Sequence, residues 1–230
     1  MLQTKGFSRP EKNRLIQGLI DLIYPPKCVL CGRPLRKGEE DLCTSCGKSL
    51  HFTNILTCKQ YGLNYHYCLS ALYYKPLRES FLRYKFDGRW HYSRLYSRWL
   101  IRTLGKWEPR SFDVVTWVPL HELRRFFRGY DQTKLMAEPV ARSLDRKLTP
   151  TLRKQRNIRP QSHLSGVAER ESNIRGAFAL RPEAGELIRG KSILLIDDII
   201  TTGSTLEEAA GVLRKAGARE VCCLTLARGE

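Results

Sequence analysis

The residues best suited to chemistry lie at 192–206, Ser-Ile-Leu-Leu-Ile-Asp-Asp-Ile-Ile-Thr-Thr-Gly-Ser-Thr-Leu. An apolar run ends in two consecutive carboxylates, Asp197 and Asp198, and a hydroxyl- and glycine-rich loop leads into a helical pattern. The run has the composition of a strand buried on both faces, and open parallel sheets bind ligands at the carboxyl ends of such strands. The helix start presents unpaired N–H groups and the positive end of its dipole, which attract phosphate. Gly203 allows close backbone approach, and Thr201, Thr202, Ser204 and Thr205 add hydroxyl donors. Adjacent acids repel a phosphate. They suit sugar hydroxyls one ribose away, directly or beside Mg²⁺. The bland alternative is a buried strand followed by an ordinary helix cap, with Ser204 and Glu207 as a capping box.

A second set is Cys28-Val-Leu-Cys31 and Cys43-Thr-Ser-Cys46, two C-x₂-C knuckles separated by 11 residues. Four thiolates from two knuckles make a closed tetrahedral Zn²⁺ site, structural rather than catalytic. Gly32 and Gly47, each just after a knuckle, are expected to supply the tight turns. Cys58 and Cys68, with His51 and His66 nearby, form at most a lesser site, and Cys222-Cys223 reads as core packing.

The elements that must position these groups follow from periodicity. Residues 14–23 have a helical period stopped by Pro25-Pro26, so residues 1–27 form an N-terminal helix, ahead of a zinc module over 28–70. Residues 72–104 mix aromatic and basic side chains at helical spacing, a helical hood over about 72–107, and Glu108-Pro109 marks a boundary. Beyond it, 113–118 reads as a strand, 131–144 as a helix interrupted near Pro139, and 153–176 as a long polar loop. Strand 192–196, helix 204–216 and strand 220–226 follow. Strands alternating with helices define an α/β fold with a mostly parallel sheet over 71–230.

Of 230 residues, 40 are Lys or Arg and 23 Asp or Glu, a net charge of +17 that favours a polyanionic partner. Residues 1–107 carry 19 basic and 7 acidic side chains, the more basic half of the chain. No stretch reaches the roughly 18–20 apolar residues of a membrane helix, and no secretory leader is visible. The expected location is cytoplasmic, where the cysteines stay reduced.

The 192–206 segment resembles the signature with which type I phosphoribosyltransferases bind phosphoribosyl pyrophosphate (PRPP). The resemblance implies that Asp197 and Asp198 hold the ribose hydroxyls and are the catalytic candidates. Residues 201–205 would cradle the 5′-phosphate, with Mg²⁺ on the pyrophosphate. Purine-salvage members usually carry a carboxylate, the base for the nucleobase, where this chain has Thr201, which argues against that activity.

Further motifs widen the likeness: Lys85-Phe86-Asp-Gly-Arg89, Val118-Pro119 through Arg128-Gly129-Tyr130-Asp131-Gln132, and Pro160-Gln161 through Gly176-Ala177-Phe178. With the zinc module ahead of the phosphoribosyltransferase pattern, the chain resembles the ComF family over about residues 15–228. It departs from that pattern at Cys58 (a degenerate second knuckle), at Asp131 (usually Asn) and at Ile158 (often Thr). The resemblance implies single-stranded DNA binding during uptake in natural transformation. It also implies a DNA-translocating ATPase and a recombination mediator as partners, and allows a peripheral place at the inner face of the membrane. An active phosphoribosyltransferase is the alternative, and a PRPP-sensing binder of duplex DNA a third reading that no helix-turn-helix pattern supports.

Two features bear on these readings. Residues 73–99 hold nine aromatics (Tyr73, Tyr74, Phe81, Tyr84, Phe86, Trp90, Tyr92, Tyr96, Trp99) and seven Lys/Arg, a mixture suited to stacking on unpaired bases, although Tyr92, Tyr96 and Trp99 also sit at core spacing. Arg124, Arg125 and Arg128 follow the strand ending at Val118-Pro119, and at least one, with Arg124 and Arg128 the candidates, is expected to meet the pyrophosphate.

Overall fold

The computed structural model describes residues 25–58, 64–106, 111–156 and 174–229. The helix expected at 14–23, the boundary at Glu108-Pro109, and the motif residues Ile158 and 160–173 lie outside the described residues, as does the side chain of Cys58.

The chain divides into two compact units after Leu50. In the first unit, among the described residues, helix α1 (Thr44–Ser49) begins within the second cysteine knuckle. The second unit begins with β1 (Phe52–Cys58), β2 (Tyr67–Tyr73), α2 (Tyr74–Phe86), a 3₁₀ turn (Trp90–Tyr92), α3 (Ser93–Leu104) and β3 (Val114–Trp117). It continues through α4 (Glu122–Arg128), α5 (Gln132–Ser143), β4 (Leu152–Lys154), β5 (Phe178–Leu180), α6 (Ala184–Ile188), β6 (Ser192–Ile200), α7 (Ser204–Lys215) and β7 (Glu220–Arg228).

The main sheet has the order β1-β2-β7-β6-β3, and β4 and β5 form a separate two-stranded ribbon. Strands β2, β7, β6 and β3 pair in parallel, and β1 adds an antiparallel edge. The zinc module was expected to run to residue 70, yet β2 lies inside this sheet, with Cys68 opposite Cys223 and Leu69 opposite Leu224. The physical reason is burial. Six of the seven β2 residues are buried, more apolar surface than a metal-clipped segment of this size has an interior to accept.

Both faces of the sheet are covered, as a parallel sheet requires. Ile193 and Leu195 of β6 pack with Leu206, Ala209, Ala210 and Leu213 of α7. Leu194 and Ile196 alternate to the opposite face and are equally buried, and there α5 lies on β3 and β6 while α3 lies on β2 and β7. The expected hood is thus part of this helical layer. Phe81, Tyr84, Tyr92, Tyr96 and Trp99 are all buried. Phe81, Tyr84 and Tyr96 form one ring cluster, with Tyr84 edge-on to Tyr96 at 5.2 Å between centroids. Of the nine aromatics in this stretch, Phe86 and Trp90 are the exposed ones.

Other expectations shift at their ends. The region from 153 begins inside β4 rather than as loop, and β6 runs to Ile200 because β7 keeps pairing with it through Ile199↔Ala227 and Ile200↔Arg228. Among the described residues no helix is long and apolar enough to cross a membrane.

Candidate functional site

The carboxyl end of β6 carries Asp197, which is buried, and Asp198, which is partly so. Asp197 Oδ1 accepts from the Asp198 amide at 2.8 Å, and Asp198 Oδ1 accepts from Ile199 N at 2.7 Å. Two side chains from distant elements converge on Asp198 Oδ2: Lys85 Nζ at the end of α2 and Gln132 Nε2 at the start of α5, each at 3.1 Å. Arg128 in turn donates to Gln132 Oε1. Lys154, over the Phe178 ring at 5.1 Å, interacts electrostatically with Asp197, Asp198, Arg124 and Lys85.

The two carboxyls are pushed in opposite directions. Burial, then the neighbouring charge of Asp198, drives the Asp197 pKa well up. Burial acts the same way on Asp198, but Lys85 and the hydrogen bond from Gln132 outweigh it and hold that carboxyl below its usual value. Burial pulls Lys154 down to about 8. Lys85, Lys154 and Arg128 thus interact electrostatically with the acid pair, and Arg124 interacts with Lys154, so cations gather at this strand end. Replacing Asp197 by Asn has a signed consequence. The raised folded-state pKa means that the wild-type protein loses stability as pH rises from the unfolded carboxyl value toward the folded one. The Tm advantage of Asp197→Asn over wild type should be near zero at pH 4 and grow toward pH 8, and a difference flat in pH across thermal melts would contradict the raised pKa.

The loop after β6 turns on a glycine. Gly203 has φ +85°, a conformation that L side chains resist, and it serves as the N-cap of α7. Gly203 offers no side-chain cap, Thr202 Oγ1 accepts from the first helix amide, Ser204 N, at 3.4 Å, and Ser204 lies inside the helix rather than at the N-cap that the capping-box alternative would need. Glu207 accepts instead from Asn64 N and Nδ2, and Ser204 is the first residue of the helix, its hydroxyl 2.8 Å from Thr202 Oγ1. Thr201 is exposed at the lip, and Thr202 and Thr205 are partly buried.

Arg124 and Arg128 are half-buried, Arg128 interacting electrostatically with Asp198 and Arg124 with Lys154, whereas Arg125 is exposed in the wall of a groove of about 990 Å³. Lys85 and Gln132 stand inside family-like motifs, but nothing in their local sequence assigns them a role at the acids. Asp131 is a hub of local structure. One of its oxygens accepts from Thr133 N and Lys134 N as the N-cap of α5, and the other accepts from Trp117 Nε1 and Leu120 N.

In the first unit the Sγ atoms of Cys28, Cys31, Cys43 and Cys46 lie within 4.8 Å of one another. Tetrahedral zinc with Zn–S bonds of about 2.3 Å sets sulfurs about 3.8 Å apart, and Cys31 Sγ and Cys43 Sγ are 3.8 Å apart. Cys43 N points at Cys28 Sγ and Cys46 N at Cys43 Sγ, at 3.4 and 3.5 Å. Gly32 takes φ +76° as the knuckle demands. Gly47 does not, because the second knuckle runs straight into α1. The donor set fits a structural Zn²⁺, held by these four thiolates. Cys68, Cys222 and Cys223 are buried in β2 and β7, and burial lifts the Cys68 thiol to about 12 and Cys223 well above its usual value, so both are inert packing residues.

A mostly parallel sheet with an acidic strand end and a glycine-led helix cradle, together with a four-cysteine clip, defines a phosphoribosyltransferase-type domain joined to a zinc ribbon. The phosphoribosyl transferase domain model matches residues 135–230 and the double zinc ribbon model residues 19–73. Competence protein F of Haemophilus influenzae is 28% identical over 225 residues, 88% of this chain and 96% of that protein. DNA utilization protein YhgH of Escherichia coli K12 is 28% identical over 230 residues, 88% and 98% of the two chains. Competence protein ComFC of Streptococcus pneumoniae is 28% identical over 205 residues, 87% of each. The chain is a homologue of these proteins and combines a phosphoribosyl transferase domain with a double zinc ribbon.

Proposed function

We propose that this protein binds a phosphoribosyl compound, PRPP with Mg²⁺ or a related nucleotide, in the crevice at the end of β6, and single-stranded DNA on its basic surface, in the handling of DNA taken up during natural transformation. The observation that carries the first half is the Asp197–Asp198 pair beside the Gly203-led start of α7, with Lys85, Lys154 and Arg128 acting on the acids. Asp197 and Asp198 take the ribose hydroxyls, residues 201–205 the 5′-phosphate, and Arg124, Arg128, Lys85 and Lys154 the remaining phosphate charge. The second half rests on the net charge of +17 and on relatives named for competence and DNA utilization. A DNA-translocating ATPase and a recombination mediator are the partners such a role calls for.

Calorimetric titration with PRPP and Mg²⁺ tests the crevice. Stoichiometric binding is expected, weakened at least about 100-fold by Asp197→Ala with Asp198→Ala, while binding of a labelled single strand persists. Equal PRPP affinity in the double variant would remove this reading of the crevice. An enzymatic reading has one observation in its favour: Lys154, pulled to about 8, can exchange a proton near neutral pH beside the crevice. Pyrophosphate release with a defined acceptor, lost in the same double variant, would establish it.

A further inference from the structure

We infer that the unpaired bases of a single strand stack on the short helix α4, with Phe126 and Phe127 as the platform and Arg128 joining it to Phe86 at the end of α2. This rests on the single-strand reading above and assigns its site. Five of the nine aromatics in the 73–99 stretch are consumed by the core, so that stretch alone offers little to stack on. The two most exposed large apolar side chains among the described residues lie outside it, Phe126 at 81% and Phe127 at 84%, and Phe86 within it follows at 69%.

Helix α4 is built to present them. His121 Nδ1 accepts from Leu123 N at its start, and Gly129, at φ +80°, closes its end with Gly129 N donating to Arg125 O at 2.8 Å. The rings are held on a capped helix and not on a fraying end. They stand edge to face, 5.7 Å apart at 81°, so they offer differently oriented faces. Such faces suit the loose base geometry of a single strand, since duplex bases are already stacked and paired.

Charge complements the rings. Arg124, Arg125 and Arg128 interleave with them on a helix whose one acid is Glu122. The Arg128 guanidinium lies 5.4 Å above the Phe86 ring and also binds Gln132, which holds Asp198. A strand crossing Phe86 and α4 therefore passes the mouth of the phosphate crevice. A bilayer surface fits less well. Arg124 and Arg128 turn half-buried toward the crevice and do not splay outward, and Leu123 and Phe126 wall a concave groove that a flat membrane cannot fill.

The test is fluorescence anisotropy of a labelled 20-nucleotide oligo(dT) with the full zinc-loaded chain, over a salt series. Phe126→Ala with Phe127→Ala is expected to weaken binding at least about 30-fold without changing the salt slope, since two stacks are lost and no phosphate contact. Arg125→Ala is expected to reduce that slope by about one. Phe126→Trp with Phe127→Trp should retain affinity and show tryptophan fluorescence quenched by the strand. Both phenylalanines are exposed, so Tm should not move in either double variant. If wild-type protein binds the strand and the alanine double variant binds it equally, the assignment to α4 is overturned while the single-strand reading stands. The assignment is likewise overturned if the alanine pair abolishes binding to phosphatidylserine vesicles and leaves oligo(dT) binding intact. If wild-type protein shows no binding at low salt, the single-strand reading itself falls.

Discussion

Removing the metal from the four-cysteine cluster is expected to unfold residues 25–50 outright while residues 64–229 keep their protected amides. The described part of that segment buries only Cys28, Val29, Leu30 and Cys43 among its apolar residues, far too little to offset the entropy of ordering some two dozen residues at about 1–2 kcal/mol each. Metal binding must supply the difference, and structural zinc sites provide about 10–16 kcal/mol of apparent binding free energy at neutral pH. Hydrogen exchange followed by mass spectrometry reads the outcome peptide by peptide. With a strong chelator, or in Cys43→Ser, the peptide spanning Cys28 to Cys46 should exchange at the rate of an unfolded chain, and β6 and β7 should remain protected. Persistent protection at 28–46 with less than a tenth of an equivalent of metal bound would show that the segment folds without its clip.

Asp131→Ala should be the most damaging single substitution away from the metal. Asp131 is buried, and its four donors are the amides of Thr133, Lys134 and Leu120 and the indole of Trp117. Losing the N-cap costs about 1 kcal/mol, and each buried donor left unmade costs about 1–3 kcal/mol. A loss of about 4 kcal/mol follows, roughly 10 °C in Tm for a domain of this size. Asp131→Asn is the informative partner. Its oxygen can still cap α5, but its NH₂ then faces the indole and the Leu120 amide, two donors with nothing to accept. Thermal unfolding should order wild type above Asn and Asn above Ala. An Asn variant as stable as wild type would mean that the bonds to Trp117 and Leu120 contribute nothing. Because Asp131 fixes the first turn of α5, and Gln132 in that turn holds Asp198, both variants should also loosen the crevice. The residue looks like a departure at the level of motif, and in the folded chain it positions the site.

Cys28, Cys31, Cys43 and Cys46 were legible in the linear chain because a zinc site is assembled from short spacings, and a C-x₂-C turn sets sulfur positions locally. Strand β6, its terminal acids and the glycine-led start of α7 were legible for the same reason: apolar run, paired carboxylates and Gly203 are neighbours in the chain. The strands at Val114–Trp117, Ser192–Ile200 and Glu220–Arg228 and the helices at Gln132–Ser143 and Ser204–Lys215 likewise followed from periodicity, whereas the short elements α4, β4, β5 and α6 did not.

Tertiary structure decided the rest. Lys85 and Gln132 reach Asp198 from positions 113 and 66 residues away in the chain, and β2 enters the sheet by pairing with β7 across a still longer gap. No local pattern encodes those distances, since they depend on which surfaces bury together most favourably once the whole chain competes for the core. The same competition sorted the aromatics. Helical spacing shows that Tyr92, Tyr96 and Trp99 share a face, but not that the sheet is there to cover it, nor that Phe126 and Phe127 would be left in water. Local geometry is written in neighbouring residues, whereas burial is a property of pairs of distant surfaces and exists only after they meet.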